Sequence, residues 1–219
     1  TFACAEALLY GLDMATNLWM CANQYRHAGF GSRFKQWMED HYHLPYNSFG
    51  NGSAMRCSAA GWLAKTEEEC VRMATETAAP SHNHPEGIKG AVATALAIYY
   101  GMRGEDKEFI RQQVLDRYYP TWSDKTYTLI KPSYYFDETC QLTVPAALIC
   151  FLESRDFADC ITLAIALGGD SDTLAAIAAP MAYAHHRVIP QPLIDNAKAK
   201  LPQWMLEIST RFDAVVLNR

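Results

Sequence analysis

Residues 87–102, GIKGAVATALAIYYGM, carry a single charged side chain, Lys89, in an Ala-rich and otherwise almost wholly apolar run. Such a segment reads as a helix buried on most sides, around which the rest of the chain must be arranged. Pro85 suits its first turn, and Gly101 and Gly104 mark its end. Neither it nor any other run approaches the roughly 20 apolar residues that a membrane span requires.

The flanking sequence repeats the helical period. Residues 2–23 place Ala5, Leu8, Leu9, Leu12, Ala15 and Leu18 at helical spacing, and GSRFKQWMEDHY reads as a shorter amphipathic helix. Thr66 with Glu69 three residues later is a capping-box pattern, for a helix that closes near AAPS. EDKEFIRQQVLDRYY is amphipathic, and residues 118–139 are irregular and rich in Tyr, Pro and Thr. Helices are expected over 144–153 and 156–167, then one opened by GGDSDT, and Pro190 and Pro202 frame short terminal ones. With no strand pattern, repeat or linker, residues 1–219 are expected to form one all-α domain.

A net charge of −5 offers no attraction to nucleic acid or anionic lipid. Seven cysteines, an odd number with no C-x-x-C pair, point to reduced, packed thiols and a cytoplasmic setting. The opening TFACAEALLYGL lacks a basic start and carries Glu6, so it is not expected to be a signal peptide.

Three stretches carry chemistry, each with two readings. In YNSFGNGSAMR, Gly50 and Gly52 permit positive φ that would turn backbone N–H groups toward one point, and Ser53 could cap a helix running through AMRCSAAGW. The plain alternative is an Asn-Gly turn before a helix. In SHNHPEG, His82 and His84 either form part of a polar pre-helix loop or lend one imidazole, His82, to a ligand. In GGDSDTLAAIAAP, Asp170 or Ser171 could be a helix cap. Alternatively Asp170, Asp172 and Thr173 offer three converging oxygens to a hard cation. The three stretches are expected to meet around one cleft.

SFGNGSAMR, HNHPEGIKGA, FDETCQLTVPAAL and GGDSDTLAAIA, in that order, resemble the ADP-ribosylglycohydrolase family, the DraG-like all-α hydrolases. The resemblance runs from AEALL to about Pro190. It implies a compact multi-helix domain that removes ADP-ribose from arginine, serine or other acceptors, or from related conjugates, with a two-metal Mg²⁺ or Mn²⁺ centre. It implies Asp170, Asp172 and Thr173 as metal ligands. It implies Ser48, Phe49, Gly50, Asn51 and Gly52, with Ser53 beside them, along the diphosphate and adenosine side, and His82 facing the ligand. The implied partner is ADP-ribose or ADP-ribosylated protein, with neither nucleic acid nor membrane.

The family also carries an acidic Gly-Asp segment and a Thr-Asp-Asp-Thr motif ahead of the helix that here starts at Thr1. Relative to the family the domain therefore reads as N-terminally truncated, with an incomplete metal centre and no assigned catalytic acid. DET at 137–139 falls within the FD…CQ stretch and does not replace the motif; Leu142, Pro180, His185 and His186 are further departures. Two functions follow: an ADP-ribosyl hydrolase, or an impaired ADP-ribose-binding or crystallin-like structural protein on the same scaffold.

Overall fold

In the computed structural model, which describes residues 1–217, the chain begins with α1 (Phe2–Tyr10), α2 (Met14–Asn23) and α3 (Ser32–Glu39). The helical spacing across residues 2–23 is thus broken in two. Gly11 takes a left-handed φ of 65° that closes α1, and Asp13 Oδ1 accepts from Thr16 N at 2.8 Å to open α2. The apolar spacing of the sequence runs on through Leu12, which lies between the two helices and is exposed.

After a 3₁₀ turn, Ala54–Arg56, come α4 (Ser58–Leu63) and α5 (Glu67–Ala78). Thr66 Oγ1 caps α5 by accepting from Glu69 N, and the Glu69 carboxylate reaches back to Lys65 N at 2.7 Å. The predicted central helix is α6 (Pro85–Met102), opened by His84, whose Nδ1 accepts from Glu86 N at 3.1 Å. Every residue from Gly90 to Gly101 is buried. Leu96 and Ile98 are fully so, worth roughly 1.5–3 kcal/mol each in apolar burial.

The amphipathic stretch that follows forms α7 (Lys107–Ile110), which runs into a π-helical turn over Arg111–Asp116; α8 (Tyr127–Ile130) interrupts the irregular segment. Then come α9 (Cys140–Glu153), α10 (Phe157–Leu167), α11 (Ser171–His186), α12 (Gln191–Lys200) and α13 (Gln203–Leu217). α9 starts four residues before the expected position and carries Pro145 inside it.

Helix α6 is packed by α4, α5, α9 and α11. Several of these contacts are made at backbone distance. A Cβ on Gly61 of α4 would come 2.5 Å from Ala95 O, one on Gly90 2.4 Å from Cys140 Sγ, and one on Gly101 3.2 Å from His185 N. A second apolar cluster joins α1, α2 and α3 through Cys4, Ala7, Met14, Leu18 and Trp37. A third seats α13 on α1 and α4 through Ala5, Leu63 and Ile208.

Among the described residues the one β-type pairing is an isolated bridge between Gly50 and Thr139. No described helix is long and apolar enough to cross a membrane. All seven cysteines are free thiols.

Candidate functional site

The irregular loop before the 3₁₀ turn is clamped on two sides. On one side it pairs with the segment entering α9: Cys140 N donates to Phe49 O at 2.9 Å, and Asn51 N to Glu138 O at 2.7 Å. On the other it leans on the loop before α6, where Ser48 N donates to Ser81 O at 3.3 Å and Asn47 N to Asn83 Oδ1 at 2.8 Å. Beneath it lies the start of α6. A Cβ on Gly87 would meet Ser48 O at 2.6 Å and His82 O at 2.8 Å, so only glycine lets the loop come this close.

Gly50 and Gly52 do not take positive φ; in this loop Asn47 does, at 55°. Space is what calls for glycine at both positions. A Cβ on Gly52 would lie 3.1 Å from His82 Nε2, and one on Gly50 would lie 3.3 Å from Ser48 Oγ and 3.5 Å from His82 Nε2. The backbone is bared toward an imidazole. Ser53 caps no helix: its hydroxyl, fully buried, donates to Gly87 O at 2.7 Å and lies 3.4 Å from Cys140 Sγ. It ties the loop to α6 and α9 from the interior. Phe49 is 41% exposed, with its ring edge-on to His84 at 5.3 Å.

The two histidines of SHNHPEG part company. His84 is the cap of α6, while His82 is turned toward Gly50 and Gly52 and is 6% exposed. Burial, followed by the Arg56 and Arg33 guanidiniums, pushes the His82 imidazole down to about 3. It is therefore neutral at physiological pH.

Asp170 stands at the N-cap position of α11, with φ −80° and ψ 64°, yet its side chain makes no capping bond. Its Oδ2 accepts from Asn51 Nδ2 at 2.7 Å, across 119 residues of sequence. The other bond from that nitrogen goes to Thr143 Oγ1 at 3.1 Å, and Thr143 in turn donates to Asp137 O at 3.1 Å. Both amide protons of Asn51 are thus committed. Gly168 and Gly169 approach the turn with φ of 87° and 64°, and a Cβ on Gly169 would strike Tyr135 O at 2.8 Å.

Thr173 is 9% exposed and hydrogen-bonded to Asp170, while Asp172 is exposed. Burial raises the Asp170 carboxyl above its ordinary range, and the neighbouring Asp172 carboxyl adds to this; Asn51 and Thr173 oppose it. Among the described residues neither carboxylate forms an ion pair with a basic side chain.

The structure therefore brings Ser48, Gly50, Asn51, Gly52 and His82 to one edge of a site, and Asp170, Asp172 and Thr173 to the other. Asn51 joins the two. Residues 4–218 match the sequence profile of the ADP-ribosylglycohydrolase family.

The chain belongs to the ADP-ribosylglycohydrolase family.

Within it, the chain is 25% identical over 183 residues to human "ADP-ribosylhydrolase ARH3", an alignment covering 64% of this chain and 50% of that one. It is 26% identical over 183 residues to the protein of the same name from Xenopus tropicalis, covering 64% of this chain and 52% of that one. The chain spans about half the length of these curated relatives. Its fold superposes on a solved chain described as "ADP-ribosylglycohydrolase-related protein complex" with a TM-score of 0.73, over 98% of this chain and 77% of the other. At 20% identity that likeness is one of fold.

From the sequence no role is assigned to Thr143, Arg56, Ser81 or Gly87. Thr143 was within reach: it lies in the quoted FDETCQLTVPAAL stretch, one helical turn beyond Thr139.

Proposed function

We propose that this chain binds ADP-ribose, free or attached to protein, in the cleft between the Ser48–Ser53 loop, His82 and the Asp170 turn, and that it serves ADP-ribosyl hydrolysis. One observation carries the reading. Asp170 occupies a capping position, where its carboxylate would ordinarily bond its own helix, and is instead drawn into the cleft by Asn51.

The turn suits a hard divalent cation such as Mg²⁺ or Mn²⁺. Asp170, Asp172 and Thr173 offer oxygen donors only, and no basic side chain offsets the two carboxylates among the described residues. When bound, such an ion supplies Lewis-acid polarisation of ribose hydroxyls and of a water at the anomeric carbon. The protein's own side chains do the rest. Asn51 fixes the orientation of the Asp170 carboxylate, and Thr143 fixes Asn51. The half-exposed Phe49 ring offers a face for an adenine, and the loop backbone beyond Gly50, whose own N–H donates to Ser48 Oγ at 3.1 Å, is the stretch from which a diphosphate would draw N–H groups. Holding both ends of the ligand sets the ribose in place between them. Free thiols throughout support a reducing, cytoplasmic setting, and residues 1–219 are read as a single ADP-ribosylglycohydrolase-like domain.

A second reading, a binding or crystallin-like protein that keeps the cleft without turnover, has one observation in its favour. Among the described residues no group of three or more His, Cys, Asp or Glu side chains that could hold a metal ion gathers at the turn.

Calorimetric titration with ADP-ribose tests the cleft. Binding lost in Asn51→Ala supports it, and wild-type binding unaffected by that change would refute it. Release of ADP-ribose from modified arginine and serine peptides with Mg²⁺ or Mn²⁺ separates the readings: turnover lost in Asp170→Ala establishes the hydrolase, and binding without turnover establishes the second.

A further inference from the structure

Ser81 lies behind the cleft as a junction. Its Oγ is 2.7 Å from Arg56 Nη2 and 2.7 Å from His82 Nδ1, and Tyr46 also hydrogen-bonds it. Arg56 is buried, gripping Thr77 O through Nε at 3.0 Å and Nη2 at 2.8 Å, and among the described residues no carboxylate pairs with it. A buried guanidinium satisfied only by carbonyls and one hydroxyl is an unusual expense unless its charge has work to do.

We propose that Arg56 and Ser81 are positioning residues that hold His82 as a neutral imidazole with its proton on Nε2, a fixed hydrogen-bond donor facing the Gly50–Gly52 edge of the cleft. Arginine has no acceptor, so Ser81 Oγ must accept from it. The serine proton is then left for His82 Nδ1. The three groups become a chain of dipoles running one way, guanidinium to hydroxyl to imidazole, and each link strengthens the next. The reverse arrangement would point an Nδ1–H toward a buried positive charge.

Among the described residues no hydrogen bond engages His82 Nε2, which lies against Gly52, where an added Cβ would come within 3.1 Å of it. With its proton fixed there, it is complementary to an oxygen that only accepts, such as a diphosphate oxygen. That ligand assignment rests on the function proposed above; the position of the proton rests on the protein's own contacts.

Long-range ¹H–¹⁵N spectra of histidine-labelled protein report which ring nitrogen is protonated. The expected result is a single neutral His82 form with the proton on Nε2, unchanged between pH 5 and 8. A proton on Nδ1, or a doubly protonated ring in that range, overturns the proposal. In Ser81→Ala the fixed form should give way to a mixture and ADP-ribose affinity should fall about five-fold, the equivalent of one neutral hydrogen bond. Ser81→Thr, which keeps the hydroxyl, should restore both. An unchanged Nε2–H spectrum in folded Ser81→Ala overturns the proposal. Should the variants not fold, the wild-type spectrum decides alone. An Nε2–H spectrum in protein that fails to bind ADP-ribose upholds the relay and overturns the ligand reading by itself.

Discussion

Replacing Asn51 by aspartate tests the link between the two halves of the site with almost no change of shape. The amide nitrogen that donates to Asp170 Oδ2 at 2.7 Å becomes a carboxylate oxygen. The first cost is the lost bond to an ionised acceptor, about 1.5–3 kcal/mol. The second is repulsion. Two unit charges at that separation, at an effective dielectric near 20, oppose one another by roughly 6 kcal/mol, a ceiling that proton uptake by the pair will lower. The Asp170 carboxyl already sits above its ordinary range through burial and the proximity of Asp172. The added carboxylate pushes it further.

A carboxyl whose folded pKa lies above its unfolded value favours folding while protonated. That contribution is complete below the unfolded value, near 4, and is lost as pH rises through the folded one. Asn51→Asp should therefore come close to wild-type stability at pH 4.5 and fall well short of it at pH 8. A difference of about 3 kcal/mol between the two pH values corresponds to a Tm gap widening by roughly 6–12 °C for a chain of this size. Thermal unfolding of both proteins across that range, with a chelator present, makes the measurement. Parallel curves, with a gap independent of pH, would show that the Asn51 amide does not bond the Asp170 carboxylate.

Three other outcomes are expected. Gly90→Ala gains about 1 kcal/mol of helix propensity but drives a methyl to within 2.4 Å of Cys140 Sγ, an overpacking cost of about 1–3 kcal/mol. It should be destabilised in chemical denaturation, and a rise in stability would show that α9 yields freely. Titration calorimetry of residues 1–219 with Mg²⁺ or Mn²⁺ should show only weak binding, because Asp170, Asp172 and Thr173 leave most coordination positions to water. Submicromolar affinity abolished by Asp172→Ala would refute this. Because His82 is held neutral down to about 3, its unfolded form takes up protons first. Its contribution to stability is present above pH 6.5 and falls by roughly 1.4 kcal/mol per unit below it. His82→Asn should flatten the acid limb of the stability–pH curve, and an unchanged limb would count against a neutral His82.

Helical periodicity made α6 legible, because twelve consecutive buried positions from Gly90 to Gly101 leave little else for such a run to be. The same signal passed over Gly11, since Leu12 keeps the apolar spacing while the backbone turns left-handed. The expected helix over 144–153 captured the later part of α9, whereas its start depends on Cys140 N meeting Phe49 O, a contact between segments about ninety residues apart in sequence. At the site, residue types identified Asp170 but left capping and ligand binding open. Asn51 answers the capping half, because it takes the Asp170 carboxylate that makes no capping bond, and nothing local to Asp170 reveals it. Gly50 and Gly52 were recognisable as special, but the reason lay in His82, thirty residues away, rather than in φ. Arg56 and Ser81 look unremarkable in isolation, because their significance comes from tertiary contacts.

The close backbone approaches along α6 have a further consequence for how this protein can change over evolutionary time. Gly61, Gly87 and Gly101 each bring neighbouring backbone against or near the central helix, and Gly90 brings the Cys140 side chain against it, with no room for a Cβ of their own. Such a joint has no shim: it cannot be adjusted by swapping one residue for a slightly larger or smaller one. Drift in ligand preference must then be confined to side chains outside the joint, such as the exposed Phe49, Tyr135 and Phe136. The floor can move only by replacing several contacts at once. Paralogues with new specificities should therefore differ at the rim and keep these glycines unaltered.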